Sequence, residues 1–321
     1  MSLHPQSIAF LEMIHRPGAR PFHELGVAEA RRESRKLYFA FRQPRRETVM
    51  LRDLVIDRPG APMDARLYRP DELAGTLPVL LFFHGGGWTV GDLDCYDSTC
   101  SELAHQAGCA VLSVDYRLAP EHPFPAAVDD ACYALSWLAD HAPSLSVDAA
   151  RIAVGGDSAG GNLAAVAALH ARDSGGPPVC LQLLIYPSTD QRGERPSHQR
   201  YAENHLLTQS TIRHFQQCYM PKITDYTDWR ASPLLAGHLS GLPPAYILLA
   251  SHDPIADDGA AYAERLQREG CEVDLVVYEG MIHGFFALDR VFDTAAVAMR
   301  GAARALAGAF AGASIVANRK E

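Results

Sequence analysis

Residues 79–83 read Val-Leu-Leu-Phe-Phe, an apolar run with no polar residue to face water. A strand wetted on one side alternates apolar and polar residues, so a run this continuous has to be covered on both faces and lie centrally. Runs of the same type recur at 109–114, 152–155, 181–185, 246–250 and 273–277. Helical stretches separate them at 98–106, 126–139, 158–171 and 259–269. Strands alternating with helices require crossover connections, which makes the expected architecture α/β with a mostly parallel sheet. Upstream, 49–56 and 65–68 alternate like an antiparallel hairpin around Arg58-Pro59-Gly60, and both are expected as edge strands.

Two segments fall outside this rhythm. Ile8, Leu11 and Ile14 are spaced for one helical face, and a second helix is expected over 28–41 after a break at Pro17 to Pro21. The interval 188–228 is polar and aromatic, with Leu206-Leu207-Thr208 opening a helix around 209–219. The expected organisation is N-terminal helices in 1–45 outside the sheet, one α/β domain in 46–187 and 229–321, and an insertion at 188–228. A length of 321 residues suits one such sheet with its helices.

The formal charge of −9 argues against a nucleic-acid partner, because phosphate neutralisation needs clustered Lys and Arg in excess of acids. No signal-peptide pattern opens the chain and no run is long enough to span a membrane. The seven cysteines are scattered without CxxC or metal-ligand spacing, so reduced thiols in a cytoplasmic protein, with no metal and no cofactor, are expected.

Gly156-Asp157-Ser158-Ala159-Gly160 matches GxSxG directly between an expected strand and an expected helix, the setting of a nucleophile elbow. A plain helix N-cap would also suit Ser158. His84-Gly85-Gly86-Gly87-Trp88 follows the central strand upstream of the elbow, where backbone N–H groups can face a developing oxyanion. The two motifs in this order favour catalysis over a flexible glycine turn.

With these motifs, the stretch Asp115-Tyr116-Arg117-Leu118-Ala119-Pro120-Glu121-His122-Pro123-Phe124-Pro125, GDSAGGN ending at Asn162, Asp253-Pro254-Ile255 and His283-Gly284-Phe285, the chain resembles the hormone-sensitive-lipase-like (family IV) bacterial esterases over nearly its whole length. The resemblance implies the α/β-hydrolase fold: an eight-stranded, mostly parallel sheet with helices on both faces, which makes 46–187 and 229–321 the catalytic domain, and a helical cap built from 1–45 and the insertion 188–228. It also implies an oxyanion hole from the N–H groups of Gly86, Gly87 and Ala159.

For the triad acid, chain order leaves Asp253, in a loop after 246–250, with Asp257 and Asp258 as rivals better suited to starting the next helix. The resemblance selects Asp253. His283 follows the last expected strand on the same rim as Ser158, and the HGF context separates it from the other histidines, fourteen in all. Asp157 is expected to tether the elbow, and Glu121 and His122 to fix their loop from buried positions. Trp88, Leu206, Phe215 and Tyr219 are candidates for lining a substrate pocket, although apolar residues at helical spacing also build cap cores.

The expected function is hydrolysis of short- to medium-chain carboxylic esters through an acyl-enzyme. An amidase or arylformamidase on the same triad, or a non-catalytic ligand receptor of the same fold, are the alternatives. The expected partner is a small-molecule ester, and the last strand offers an edge through which two copies could pair.

Overall fold

The computed structural model describes residues 2–16, 18 and 20–316, so Met1 of the expected N-terminal cap segment, Pro17 and Ala19 of the expected break and 317–321 of the expected catalytic domain lie outside the described residues. The chain opens with α1 (Pro5–Ile14) and α2 (Val27–Phe41), then β1 (Val49–Ile56) and β2 (Met63–Pro70). Alternation begins with β3 (Leu77–Phe83), α3 (Asp97–Ala107), β4 (Ala110–Val114), α4 (Ala126–Leu145), β5 (Val147–Asp157), α5 (Ala159–Ser174) and β6 (Val179–Ile185). Then come α6 (Pro196–Arg200), α7 (Gln209–Tyr219), β7 (Ala245–His252), α8 (Ala256–Arg268), β8 (Val273–Ile282) and α9 (Asp293–Phe310).

The eight strands form one sheet in the order β1-β2-β4-β3-β5-β6-β7-β8. Only the β1–β2 and β2–β4 pairs are antiparallel. β3 lies between β4 and β5, with Leu81 opposite Leu112 on one side and Val154 on the other. Its alternate side chains feed two cores: Val79, Leu81 and Phe83 pack with residues of α4, α5 and α8, and Leu80 and Phe82 with residues of α3 and α9. Each of these five fully buried side chains contributes on the order of 1.5–3 kcal/mol, which is why the apolar run anchors the centre.

Two sequence expectations are corrected and one further helix is found. β2 is not an edge strand, because it pairs with β4 as well as β1, with Leu67 opposite Leu112. The polar residue that gave it a half-exposed look, Arg66, is drawn into ion pairs with Asp94 at 2.8 Å and Asp97 at 2.9 Å. On α1, Ile8 faces solvent, and the inward face is Ser7, Phe10 and Leu11. That face is set by Phe10, packed edge-on against Phe41 and Phe292, and by two bonds to one carbonyl: Ser7 Oγ (2.8 Å) and the His4 N–H (3.0 Å) both donate to Gly280 O at the end of β8. Helix α9 was not anticipated. Its inward residues include Ala295, Ala298, Ala302 and Leu306, whose helical spacing was present but written mostly in alanine.

Candidate active site

β5 ends at Asp157 and α5 begins at Ala159, so Ser158 alone makes the turn between them. It does so at φ 56° and ψ −115°, a backbone state that costs a residue with a Cβ about 1–3 kcal/mol and is held only by surrounding contacts. The Ser158 N–H donates to Ile185 O at 2.9 Å, and its carbonyl accepts from Asn162 N at 3.0 Å. Gly160 lets the turn close on the sheet: a Cβ there would overlap the Phe83 carbonyl oxygen and stand 2.7 Å from His84 O. We therefore expect Gly160→Ala to lose about 3 kcal/mol or more, read as a marked fall in Tm, since backbone meets the new methyl on β3. A wild-type Tm would contradict this.

The turn presents Ser158 Oγ to His283 Nε2 at 2.9 Å, and His283 Nδ1 lies 2.7 Å from Asp253 Oδ2. Asp253 is fully buried and His283 nearly so. A carboxylate only accepts, so Nδ1 carries the proton and Nε2 accepts from the serine hydroxyl. Asp253 sits in the loop after β7, where its Oδ1 accepts from the Ile255 N–H at 3.0 Å. His283 follows β8 directly. The three residues thus come from three connections at the carboxyl end of one parallel sheet.

The loop after β3 lies against the elbow, where the Gly85 N–H donates to Asp157 Oδ1 at 2.7 Å. His84, buried and stacked on Tyr116 at 4.4 Å, places Nδ1 2.8 Å from Gly85 O. Burial pushes the His84 imidazole below its ordinary range, so it is neutral and donates from Nδ1 to that carbonyl. The next carbonyl, Gly86 O, accepts from Thr89 and Val90 N–H, both at 3.0 Å. In a trans peptide the N–H points opposite to its carbonyl, so holding Gly85 O and Gly86 O aims the Gly86 and Gly87 N–H groups. Those two donors and the Ala159 N–H bond to no acceptor among the described residues.

The family model described as the alpha/beta hydrolase fold matches residues 80–287, an interval that contains this loop, the elbow, Asp253 and His283. This chain belongs to the α/β-hydrolase family. It is similar to an ethyl acetate hydrolase of Pseudomonas putida, 40% identical over 92% of this chain and 95% of that one. It is also similar to esterase LipI of Mycobacterium tuberculosis, 44% identical over 76% and 77% of the two chains. Among solved structures, the ester-hydrolase EH1AB1 from the metagenome of Lake Arreo superposes with a TM-score of 0.93 at 41% identity, covering 96% of this chain and 99% of that one.

The other sequence candidates of this α/β-hydrolase divide into two pairs. Leu206 and Phe215 lie over the site's backbone: a Cβ on Gly284 would stand 3.1 Å from Leu206 Cδ2, and one on Gly87 would overlap the Phe215 ring. Trp88 and Tyr219 are buried and stacked on each other at 4.6 Å. The rivals for the acid are engaged elsewhere, Asp257 Oδ2 by the Ser197 N–H at 2.8 Å and Asp258 Oδ2 by His198 Nε2 at 2.8 Å. Both bind α6 to the start of α8. Among the described residues, no group of three or more His, Cys, Asp or Glu is placed to hold a metal ion.

Sequence reasoning missed three neighbours of the site. Tyr186 packs its ring 4.6 Å from His283. Arg31 of α2 donates to Thr89 O (2.9 Å) and Ala119 O (3.0 Å) and forks onto Glu121. Glu121 and its neighbour His122 are exposed rather than buried, and Glu121 serves as a contact with the N-terminal segment. Tyr96 reaches Asp157. None stands in a motif, and only the folded chain brings them to the site.

Proposed function

We infer that this α/β-hydrolase is a serine carboxylesterase, with Ser158 as nucleophile, His283 as general base and Asp253 as the orienting acid. The single observation that carries the reading is the hydrogen-bonded chain from Ser158 Oγ through His283 to Asp253. His283 Nε2 takes the serine proton as Oγ attacks the ester carbonyl, and Asp253 stabilises the imidazolium that forms. The Gly86, Gly87 and Ala159 N–H groups receive the negative charge on the carbonyl oxygen. The imidazolium then gives its proton to the departing alcohol, and His283 activates a water that releases the acid. The relatives' printed activities, ethyl acetate hydrolase and esterase, support esters as the substrate class. A complete triad argues against a non-catalytic receptor, and matched p-nitrophenyl butyrate and butyranilide would separate esterase from amidase.

The segments 2–45 and 188–228 act as a cap. Phe22 from the first packs, tilted and with ring centroids 5.5 Å apart, against Phe215 from the second, which covers Gly87, while Leu206 covers Gly284 beside His283. A roofed pocket of this kind favours small acyl groups: each added buried methylene contributes about 0.8 kcal/mol until the pocket ends. Across p-nitrophenyl esters we expect kcat/KM to peak between acetyl and hexanoyl and to fall beyond. Faster turnover of palmitoyl than of butyryl esters would replace the esterase by a lipase with a mobile lid.

The enzyme is further proposed to pair with a second copy through β8, which ends the sheet and exposes Val277. Light scattering should then give twice the chain mass of 35.0 kDa, and a monomer mass at all concentrations would refute it. No helix among the described residues is long and apolar enough to cross a membrane. The seven unpaired cysteines suit a reducing compartment, and we assign the enzyme to the cytoplasm.

A further inference from the structure

We propose that Tyr38 and Tyr96 are positioning residues for the oxyanion hole, linking helix α2 through the Asp157 carboxylate to the glycine that precedes its first donor. The inference rests on the esterase reading and concerns the same site.

Asp157 stands next to the nucleophile, is almost fully buried and takes no part in the triad. Its Oδ1 accepts from the Gly85 N–H at 2.7 Å and its Oδ2 from the Tyr96 hydroxyl at 2.9 Å. The Tyr96 oxygen lies 2.7 Å from that of Tyr38 on α2. The protons can have only one arrangement while Asp157 is ionised. A carboxylate has none to give, so Tyr96 spends its single proton on Asp157, and Tyr38 must therefore donate to Tyr96. A chain with every donor aligned polarises along its length.

Gly85 is where the chain acts. A Cβ there would overlap the Asp157 carboxylate and stand 2.9 Å from the Tyr96 oxygen, so the glycine is seated directly on the relay. Its N–H is shared between Asp157 Oδ1 and, at 3.0 Å, the Tyr96 oxygen, its carbonyl is held by His84, and that carbonyl shares a peptide plane with the Gly86 N–H. Shift Gly85 and the first oxyanion donor turns away from the carbonyl oxygen. Losing a whole donor of this kind costs about 10²–10³ in kcat. Loosening its mount should cost less, about tenfold.

Burial raises the Asp157 carboxyl to about 6, against the hydrogen bond from Tyr96, which lowers it. The ionisable groups facing it are His283, Tyr96, Tyr38, Tyr186, Tyr116 and Cys100. Burial raises the four phenols and the thiol, so they stay uncharged near neutrality, while the interaction with His283 lowers the Asp157 carboxyl. Removing the Tyr96 hydroxyl lifts the carboxyl further. Asp157 then protonates at higher pH and weakens as an acceptor for Gly85.

The test uses the full-length chain with Tyr38→Phe, Tyr96→Phe and the double variant on p-nitrophenyl butyrate, with Tm measured alongside. Both changes keep the rings that pack against each other at 5.2 Å. For Tyr96→Phe we expect kcat to fall about tenfold with KM within about twofold. The variant-to-wild-type ratio should fall further as pH drops from about 8 to 6. A merely structural lesion would leave that ratio flat. Tyr38→Phe should act in the same direction at about threefold, and the double variant should match Tyr96→Phe, because links in series do not add. Wild-type kcat in Tyr96→Phe, multiplying losses in the double variant, or a flat pH ratio would each overturn the relay. If Tyr96→Phe does not fold, the kcat and pH ratio of Tyr38→Phe decide alone. A wild-type enzyme inert toward every ester overturns the esterase reading itself, whereas an active wild type matched by Tyr96→Phe overturns only the relay.

Discussion

Ser158→Ala should lower kcat for ester hydrolysis by about 10⁶, the scale on which loss of a triad serine acts in serine proteases, while leaving the protein folded. The change removes one heavy atom, Oγ, whose only hydrogen bond among the described residues is to His283 Nε2 at 2.9 Å. The Cβ that makes φ 56° unfavourable is present in both residues, so alanine adds no new backbone strain to the elbow. Tm should stay within a few degrees, and active-site titration with a p-nitrophenyl ester should show no burst. Turnover near that of the wild type would remove Ser158 from the chemistry and the triad with it.

Asp253→Asn should cost about 10⁴ in kcat, because an amide of the same shape forces the wrong tautomer on the histidine. The structure dictates which way the amide turns. Oδ1 of residue 253 accepts from the Ile255 N–H at 3.0 Å, so the asparagine oxygen stays there and its NH2 faces His283 Nδ1. Nδ1 then becomes the acceptor, Nε2 carries the proton, and Ser158 loses its base. Asp257→Asn is the control, since the asparagine oxygen can still accept from Ser197 N and nothing reaches His283. A dead Asp257→Asn beside an active Asp253→Asn would move the acid to 257.

The central sheet was legible because burial on both faces leaves a one-letter trace: Val79 to Phe83 contains nothing that could face water. β2 was misjudged because Arg66 looks solvent-seeking until Asp53, Asp94 and Asp97 are seen around it. The nucleophile elbow was legible because its constraint is local, small residues in a fixed five-residue window. The choice of acid was harder, since Asp253, Asp257 and Asp258 differ only in which partner the fold brings, His283, Ser197 or His198. Tyr38 and Tyr96 left no trace, because a hydrogen bond between residues 58 positions apart has no spacing rule.

The two bonds that α1 makes to Gly280 O join residues 273 positions apart in the case of Ser7. At translation rates of about 5–20 residues per second, the first helix waits roughly 15–55 s for the strand that will receive it. During that time Phe10 and Leu11, buried in the finished protein, have no core to enter. The same strand leads into His283, so the docking of the first helix and the arrival of the general base are one late event. Such long-range closure slows folding and places the first helix among the segments a chaperone would meet on the nascent chain.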